Sequence, residues 1–330
     1  MLLPLQIENW LKSIQSGDRL ALSKAITLVE SHKSEDRLTA TQLMKGLSTS
    51  HHSLRIGITG PPGVGKSSLI EHLGLHIIEQ GHKLAVLSID PSSGLTLGSI
   101  LGDKTRMSVL SQSDQAYIRP SPTGDQLGGI SKNTREAIRL CEAAGYDYVI
   151  VETAGIGQTE YLVSTMVDLT ILLHLPGAGD DLQGIKRGVM EWADILAIHK
   201  ADDPKDPKVL QAIGDLKLAM HFLETKTSGW ERKLLTVSSL KKTGIKELWQ
   251  CILVYQKHII ENGYMLKGRN EQMIKAFRQI LQQQIWNAII QTKDIAKHIG
   301  ETEKNIYSLN LTPEEAVILT QDYIFATLKK

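Results

Sequence analysis

The chain has 330 residues, of which 42% are apolar and 22% charged, an ordinary globular composition that excludes the disordered, collagen-like and coiled-coil classes. Its 37 Lys and Arg residues nearly balance 36 Asp and Glu residues, for a net charge of +1. No bulk field therefore attracts nucleic acid or anionic lipid, and we expect any phosphate group to bind at a local site.

Hydropathy and cysteine usage indicate the compartment. The chain contains no unbroken run of about 18 apolar residues, the length needed to span a membrane. Its first residues lack the basic and apolar regions of a signal peptide. Cys141 and Cys251 lie far apart among apolar neighbours, which indicates two buried thiols rather than a disulfide or a zinc site. We therefore expect a soluble cytoplasmic protein.

The N-terminal part of the chain has the spacing of helices. Apolar residues recur at helical intervals from residue 5 to 47, with interruptions at Gly17 and around Ser34. This pattern predicts a helical segment over residues 1–50.

Short apolar runs separated by amphipathic stretches follow. The runs are Leu54–Thr59, Lys83–Asp90, Tyr146–Glu152, Asp168–His174, Asp194–His199 and Leu234–Ser238. Such runs are typical of strands buried on both faces of a parallel sheet, with helices between them. We predict an α/β fold over residues 51–262: a doubly wound, mostly parallel sheet that binds ligands at the carboxyl ends of its strands.

A phosphate-binding loop follows the first strand. Gly60-Pro-Pro-Gly63-Val-Gly65-Lys66-Ser67 fits the P-loop pattern G-x-x-x-x-G-K-[ST] and opens an amphipathic helix that stops at Gly81. Its backbone N–H groups would surround a β-phosphate, Lys66 would add positive charge and Ser67 would ligate Mg²⁺. The predicted nucleotide-binding residues here are Gly60, Pro61, Pro62, Gly63, Val64, Gly65, Lys66, Ser67 and Ser68.

Carboxylates end two of the predicted strands. Asp90 and Glu152 would both face the nucleotide and help Ser67 to hold Mg²⁺, directly or through water. Gly155 could donate its backbone N–H to a γ-phosphate. The alternative role for each carboxylate, and for Asp103 in the following loop, is a turn or helix cap.

Two later loops are placed to contact the base. His199-Lys200-Ala201-Asp202 follows a strand where G domains carry [NT]-K-x-D, and Asp202 could accept hydrogen bonds from guanine. A histidine N–H could replace one hydrogen bond of the missing Asn side chain. If it does not, we expect nucleotide affinity to fall roughly threefold to tenfold and the preference for guanine to weaken. Val237-Ser238-Ser239-Leu240 ends the next strand, and Ser238, Ser239 and Leu240 could contact the base through backbone N–H groups. This tetrapeptide is a weak signal by itself.

The C-terminal part is again helical. No Gly or Pro interrupts Arg269–Ile299, so we predict one helix of about 45 Å there, and Thr312-Pro-Glu-Glu315 predicts the capped start of a last helix. Residues 263–330 form a separate helical region. The pattern alone leaves open whether its long helix packs on its own domain or pairs with a second subunit.

Long stretches of the chain resemble the MeaB/ArgK-type P-loop GTPases, the family of the methylmalonic aciduria type A protein within the metallochaperone-like GTPases. The resemblance covers nearly the whole chain and is strongest from Gly60 to Asp202. It rests on residues 60–67, 89–93, 98–107, 118–122, 140–145, 151–158 and 175–186.

This resemblance implies hydrolysis of GTP with bound GTP/GDP and Mg²⁺. Because no residue is an obvious strong general base, we expect slow intrinsic turnover that a partner stimulates. It implies that Asp90, Asp103 and Glu152 surround the metal and the attacking water, with switch segments at residues 91–107, 153–160 and 177–188. Asp180, Gln183 and Lys186 of the third switch would relay the nucleotide state to an adenosylcobalamin-dependent mutase, usually methylmalonyl-CoA mutase. The catalytic set would be Lys66, Asp90, Asp103, Glu152 and Lys186, and the helical ends would make a homodimer.

Two other functions compete with a mutase chaperone. A nickel or zinc metallochaperone GTPase is one, although the chain has no Cys-x-x-Cys, Cys-Pro-His or His-rich tract. An ATPase or kinase that serves transport of lysine, arginine or ornithine is the other.

Overall fold

The structure, a computed structural model, describes residues 4–31, 33–47, 53–90, 107–122, 127–153, 158–177 and 187–328. It divides the chain into two compact units, Met1–Gln272 and Met273–Lys330. The domain boundaries predicted at residues 50 and 262 stay a prediction.

A parallel sheet is the centre of the first unit. Within the described residues it has seven strands, in the order β3-β2-β4-β1-β5-β6-β7, and every neighbouring pair is parallel. The strands are β1 Leu54–Thr59, β2 Leu84–Asp90, β3 Ala116–Pro122, β4 Tyr148–Thr153, β5 Leu169–His174, β6 Ile195–His199 and β7 Lys233–Val237. The predicted α/β class and doubly wound sheet are confirmed.

Helices connect the strands and extend the chain at both ends. They are α1 Pro4–Gln15, α2 Arg19–Glu30, α3 Ser34–Gly46, α4 Lys66–Glu79, α5 Leu127–Ala143, α6 Gln158–Ser164, α7 Arg187–Trp192, α8 Pro207–His221, α9 Ile245–Glu261, α10 Tyr264–Gln291, α11 Lys293–Tyr307 and α12 Pro313–Leu328. The three N-terminal helices confirm the predicted helical segment, with breaks at Gly17 and before Ser34. Of the helices that the structure describes, none has the length and hydropathy needed to cross a membrane.

Two hydrophobic layers enclose the sheet because successive strand residues point to opposite faces. On β2, Leu84 and Val86 pack on the side of α4 and α9, whereas Ala85 and Leu87 pack against α1, α2, α3 and α5. Both faces are therefore dry, which is why the strands have continuous apolar runs rather than alternating ones. The N-terminal helices share a core with the sheet instead of forming one of their own.

One strand of the sheet was not predicted from the apolar runs of the sequence. Strand β3, Ala116–Pro122, contains Pro120 and Pro122, and proline is typical of strand edges because it cannot donate a ladder hydrogen bond. In the structure β3 is the edge strand next to β2. An edge position tolerates these prolines, and so the strand forms despite its sequence.

The predicted single helix Arg269–Ile299 is wrong, because it divides at Thr292 into α10 and α11. Thr292 has extended backbone angles, φ −69° and ψ 117°, and Asp294 lies in the first turn after it. Both residue types favour a helix start, so a signal existed without Gly or Pro. The predicted capping box is confirmed: the Thr312 N–H donates to Glu315 Oε2 at 3.0 Å and the Glu315 N–H to Thr312 Oγ1 at 3.3 Å.

Candidate nucleotide-binding site

The phosphate loop joins β1 to α4 at the carboxyl edge of the sheet. Gly63 and Gly65 have φ of 75° and 98°, in the left-handed region that favours glycine. A Cβ atom at Gly60 would lie 2.7 Å from the carbonyl oxygen of Leu173, and one at Gly65 would lie 2.6 Å from Cε1 of His199. A Cβ atom would therefore collide with neighbouring atoms at Gly60 and Gly65, whereas at Gly63 the positive φ alone favours glycine.

Lys66 opens helix α4 and turns back over this loop. Its side chain is buried, and Nζ donates to the carbonyl oxygens of Gly60 at 2.8 Å and Pro61 at 3.1 Å. The ammonium group thus lies beside the loop and at the positive end of the α4 dipole. Both features favour an anion such as a phosphate.

Next to it, Ser67 and Glu152 form a pair of hard oxygen donors. Ser67 Oγ donates to Glu152 Oε1 at 2.8 Å, and Ser88 Oγ donates to Glu152 Oε2 at 3.2 Å. Glu152 is 7% exposed, and its register opposite both Ile58 and Ser88 brings it to the phosphate loop. Hydroxyl and carboxylate oxygens suit Mg²⁺, so these residues fit the metal that the sequence predicts.

Several predicted site residues are not tested by this geometry. Only the backbone of Asp90 is described, at the end of β2 beside Pro122. Asp103, Gly155, Asp180, Gln183 and Lys186 lie outside the described residues. Across the described part of the chain, no three His, Cys, Asp or Glu side chains form a group that could hold a metal ion. The metal-binding roles of Asp90 and Asp103 stay predictions.

The loops predicted to contact the base follow β6 and β7, at the same edge. Asp202 accepts a hydrogen bond from Ser238 Oγ, and Ser238 Oγ in turn accepts one from the Lys241 N–H at 2.9 Å. Lys200, with φ 60°, extends its side chain to the carbonyl oxygen of Gly63 at 2.8 Å. The structure therefore brings Lys200 against the phosphate loop and Asp202 against Ser238, while the side chain of Leu240 is 76% exposed.

His199 ends β6 and contacts both neighbouring loops. Its Nδ1 lies 2.6 Å from the carbonyl oxygen of Val64, and its Nε2 lies 2.7 Å from Ser239 Oγ. The ring is 2% exposed, and burial lowers the pKa of His199, followed in effect by the hydrogen bond to Val64, which raises it, and the charge of Lys200, which lowers it. The loop connection expected of the missing Asn is therefore made by an imidazole N–H.

Sequence reasoning missed two residues that support this site. Ser88 orients the Glu152 carboxylate, and Glu71 on α4 accepts backbone hydrogen bonds from Val109 at 2.9 Å and Leu110 at 3.3 Å. A polar residue inside the apolar run Leu84–Asp90 was a signal for Ser88. Glu71 gave none, because its partners lie 38 and 39 residues further along the chain.

The chain is similar to a family model and to several known proteins over most of its length. The family model described as methylmalonyl-CoA mutase-associated GTPase MeaB matches residues 22–294. GTPase ArgK of Escherichia coli K12 is 39% identical over 315 residues, which cover 95% of each protein. The mitochondrial methylmalonic aciduria type A homolog of Mus musculus is 37% identical, over 95% of this chain and 78% of its own length.

Among solved structures, one titled LAO/AO transport system kinase superposes with a TM-score of 0.78 at 32% sequence identity. The match covers 98% of this chain and 99% of that chain. The similarity therefore extends through the helical ends as well as the nucleotide-binding unit.

Proposed function

Because the chain belongs to the MeaB family of methylmalonyl-CoA mutase-associated GTPases, we propose that it is a chaperone that protects, loads or reactivates an adenosylcobalamin-dependent mutase of the methylmalonyl-CoA mutase type. The chain is a P-loop GTPase, as its relatives and fold indicate. The observation that carries the proposal is the family match over residues 22–294, which extends well beyond the nucleotide site.

The described residues have distinct parts in GTP hydrolysis under this proposal. Lys66 and the phosphate-loop N–H groups bind the phosphates, and Asp202 accepts from guanine. Ser67 and Glu152, with Asp90 and Asp103, would hold Mg²⁺, which when bound neutralises charge on the β- and γ-phosphates. None of these groups is a strong base for the attacking water, so we expect slow intrinsic turnover that a partner accelerates.

The direct test is GTP turnover with and without a purified adenosylcobalamin-dependent methylmalonyl-CoA mutase. We expect the mutase to accelerate hydrolysis and to form a nucleotide-dependent complex on gel filtration. An unchanged rate together with no complex for GTP-, GDP- and nucleotide-free protein would rule out the proposal.

Two lysine variants separate nucleotide binding from signalling. Lys66→Ala should lose GDP and GTP binding, because it removes the buried ammonium beside the phosphate loop. Lys186→Ala should retain nucleotide binding and lose the hydrolysis that the mutase stimulates. Equal loss of binding in both variants would contradict the role proposed for the third switch.

We also propose a homodimer formed through the C-terminal helices. Met273, Phe277 and Leu281 follow one another at four-residue intervals along α10 and are 62%, 62% and 41% exposed, a row that a second copy could cover. Phe277→Glu should convert the protein to a monomer near 36.5 kDa in sedimentation velocity, whereas Lys275→Glu should not. A wild-type monomer, or an unaffected Phe277→Glu dimer, would reject this interface.

The solved structure at TM-score 0.78 is described as a LAO/AO transport system kinase. This favours one second candidate, a kinase that serves a transport system. That function requires ATP as substrate and phosphate transfer to a partner protein. ATP competing equally with GTP, with labelled phosphate appearing on a protein, would support it. Turnover of GTP alone, without any phosphoprotein, would eliminate it.

A further inference from the structure

His199 is the residue that departs from the base-reading pattern, and it makes two hydrogen bonds at once. One ring nitrogen contacts the phosphate loop at Val64 and the other contacts the loop after β7 at Ser239. These loops are separated from His199 by 135 and 40 residues along the chain. A single imidazole therefore bridges three segments that surround the nucleotide.

The partners of the ring determine its tautomer. A backbone carbonyl can only accept, so the Nδ1 atom 2.6 Å from Val64 must carry the proton. In the neutral ring Nε2 then has no hydrogen and accepts from the Ser239 hydroxyl at 2.7 Å. Of the two neutral tautomers, only this one satisfies both bonds.

Close packing fixes the ring in that position. His199 is 2% exposed, and its Cε1 and Nδ1 atoms occupy the space that a Cβ at Gly65 would need, at 2.6 and 2.7 Å. Any side chain at position 65 would therefore clash with the imidazole. A displacement of the ring would therefore also shift the phosphate loop.

The bridge also reaches the group that reads guanine. Asp202 lies three residues after His199 and is held by Ser238, the neighbour of Ser239. We propose that His199 is a specificity-determining positioning residue: it fixes Asp202 relative to the phosphate loop through Val64 and Ser239, and so converts phosphate binding into discrimination for guanine.

Lys200 makes a second connection between the same loops, to Gly63 at 2.8 Å, but it is exposed. Water can replace an exposed hydrogen bond at little net cost, whereas a buried carbonyl left without its donor carries a desolvation penalty. The buried His199 bridge should therefore dominate the coupling.

This inference rests on the part of the proposed function that places guanine against Asp202. Its probe is inosine diphosphate, which lacks the exocyclic amine of GDP and so reports on that carboxylate. Binding of GDP, IDP and ADP to the full chain would be measured by calorimetry for the wild type, His199→Ala, His199→Asn, Ser239→Ala and the double variant His199→Asn/Ser239→Ala. His221→Asn, at the end of α8, is the control for an unrelated histidine.

Side-chain geometry makes His199→Asn a selective change. In histidine Nδ1 is bonded directly to Cγ, whereas Nε2 lies one bond further away. The amide nitrogen of Asn is also bonded to Cγ, so it can keep the bond to Val64 but does not reach Ser239. The absolute affinity of His199→Asn for a nucleotide does not test the proposal, because the Asn amide can also approach the base.

We expect His199→Ala to lower GDP affinity and to reduce the GDP-over-IDP preference, each by roughly threefold to tenfold. Ser239→Ala should reduce the GDP-over-IDP preference by a similar factor in the wild type, yet by less than about twofold in the His199→Asn background. His199→Asn should retain more of this preference than His199→Ala, and His221→Asn should match the wild type.

The outcomes separate the two proposals. A wild type that binds GDP and IDP equally would reject the guanine-reading role of Asp202 itself. A wild type that prefers GDP, with the same preference in His199→Ala, would reject only the positioning role. An equal effect of Ser239→Ala in the wild type and in the His199→Asn background would also reject the positioning role, because it would show that Ser239 acts without His199.

Discussion

Among single residues, Glu152 connects the sheet to the phosphate chemistry. Its two oxygens accept from Ser67 and Ser88, so the carboxylate is fixed before any metal arrives. Because these hydrogen bonds already fix its position, we expect Glu152 to act on the metal through its negative charge and not through its shape alone.

The variant Glu152→Gln tests that role. Gln keeps an acceptor for Ser67 but removes the charge, so we expect GDP affinity without added metal to change little. GTP hydrolysis at saturating Mg²⁺ should fall by about tenfold or more, since bonds to charged groups contribute about 1.5–3 kcal/mol. Steady-state kinetics over a Mg²⁺ series would measure this, and a wild-type rate at every concentration would exclude Glu152 from the metal site.

The buried imidazole of His199 makes stability depend on pH. Burial lowers the pKa of His199, so below an unfolded value of about 6.5 the unfolded chain binds a proton that the folded chain does not. The folded state therefore loses stability as the pH falls from about 6.5 towards the lowered pKa. The unfolding equilibrium constant should rise by up to roughly tenfold per pH unit from this group alone.

Urea unfolding of the wild type and His199→Asn at pH 7.5, 6.5 and 5.5 would measure this contribution. Asn does not titrate, so the difference in unfolding free energy between the two proteins should shift in favour of the variant as the pH falls. A constant difference across the series would show that His199 titrates alike in both states.

Among the elements, helix α4 links the phosphate loop to the segment around the short helix Leu110–Gln112. Glu71 accepts from the N–H groups of Val109 and Leu110, and Gly74 leaves room for the Leu110 side chain, whose Cδ2 atom lies 2.6 Å from where a Cβ would stand. The helix that begins with Lys66 therefore also anchors the chain that follows the predicted first switch, residues 91–107.

Removing this anchor should cost stability. Glu71→Ala would leave the buried N–H group of Leu110 unsatisfied and destabilise the fold by about 1–3 kcal/mol, whereas Glu71→Gln keeps one acceptor and should cost less. Glu79→Ala, at the exposed end of the same helix, is the matched control. Urea unfolding midpoints would check the order, and a Glu71→Ala protein as stable as Glu79→Ala would contradict it.

For the first compact unit as a whole, a buried ionic cluster joins elements at the edge of the sheet opposite the nucleotide. Arg269 at the start of α10 donates to Asp168 at 2.8 and 2.6 Å, and Arg55 on β1 donates to Glu142 on α5 at 2.7 and 2.8 Å. Asp168 also accepts from the Arg55 N–H at 2.9 Å. One network thus ties strands and helices from distant parts of the sequence.

Breaking this cluster on one side should be costly. Arg269→Met would leave the buried Asp168 carboxylate without its cation and destabilise the unit by about 3–5 kcal/mol. Adding Asp168→Asn to that variant should recover part of the loss, since Asn still accepts from Arg55. Arg19→Met, which removes the exposed pair with Asp114, should change unfolding in urea little; equal effects of the two single Arg variants would contradict the argument.

The sequence by itself determined the phosphate loop, six of the strands and the family, because these depend on local patterns: glycines for unusual backbone angles, apolar runs for doubly buried strands, and a Lys-Ser pair for phosphate and metal. The capping box at Thr312 is local in the same sense. Its signal lies within four consecutive residues, so no tertiary contact was needed to find it.

Only the tertiary structure decided what depends on neighbours. Strand β3 forms because the sheet offers it an edge position that tolerates proline. At His199 the sequence showed a departure from the [NT]-K-x-D pattern and suggested that a histidine N–H could replace one bond of the missing Asn, but it did not show which groups the ring contacts. The carbonyl of Val64 and the hydroxyl of Ser239 approach the ring only when strands β1, β6 and β7 lie in one sheet, and that proximity belongs to the fold rather than to any stretch of the chain.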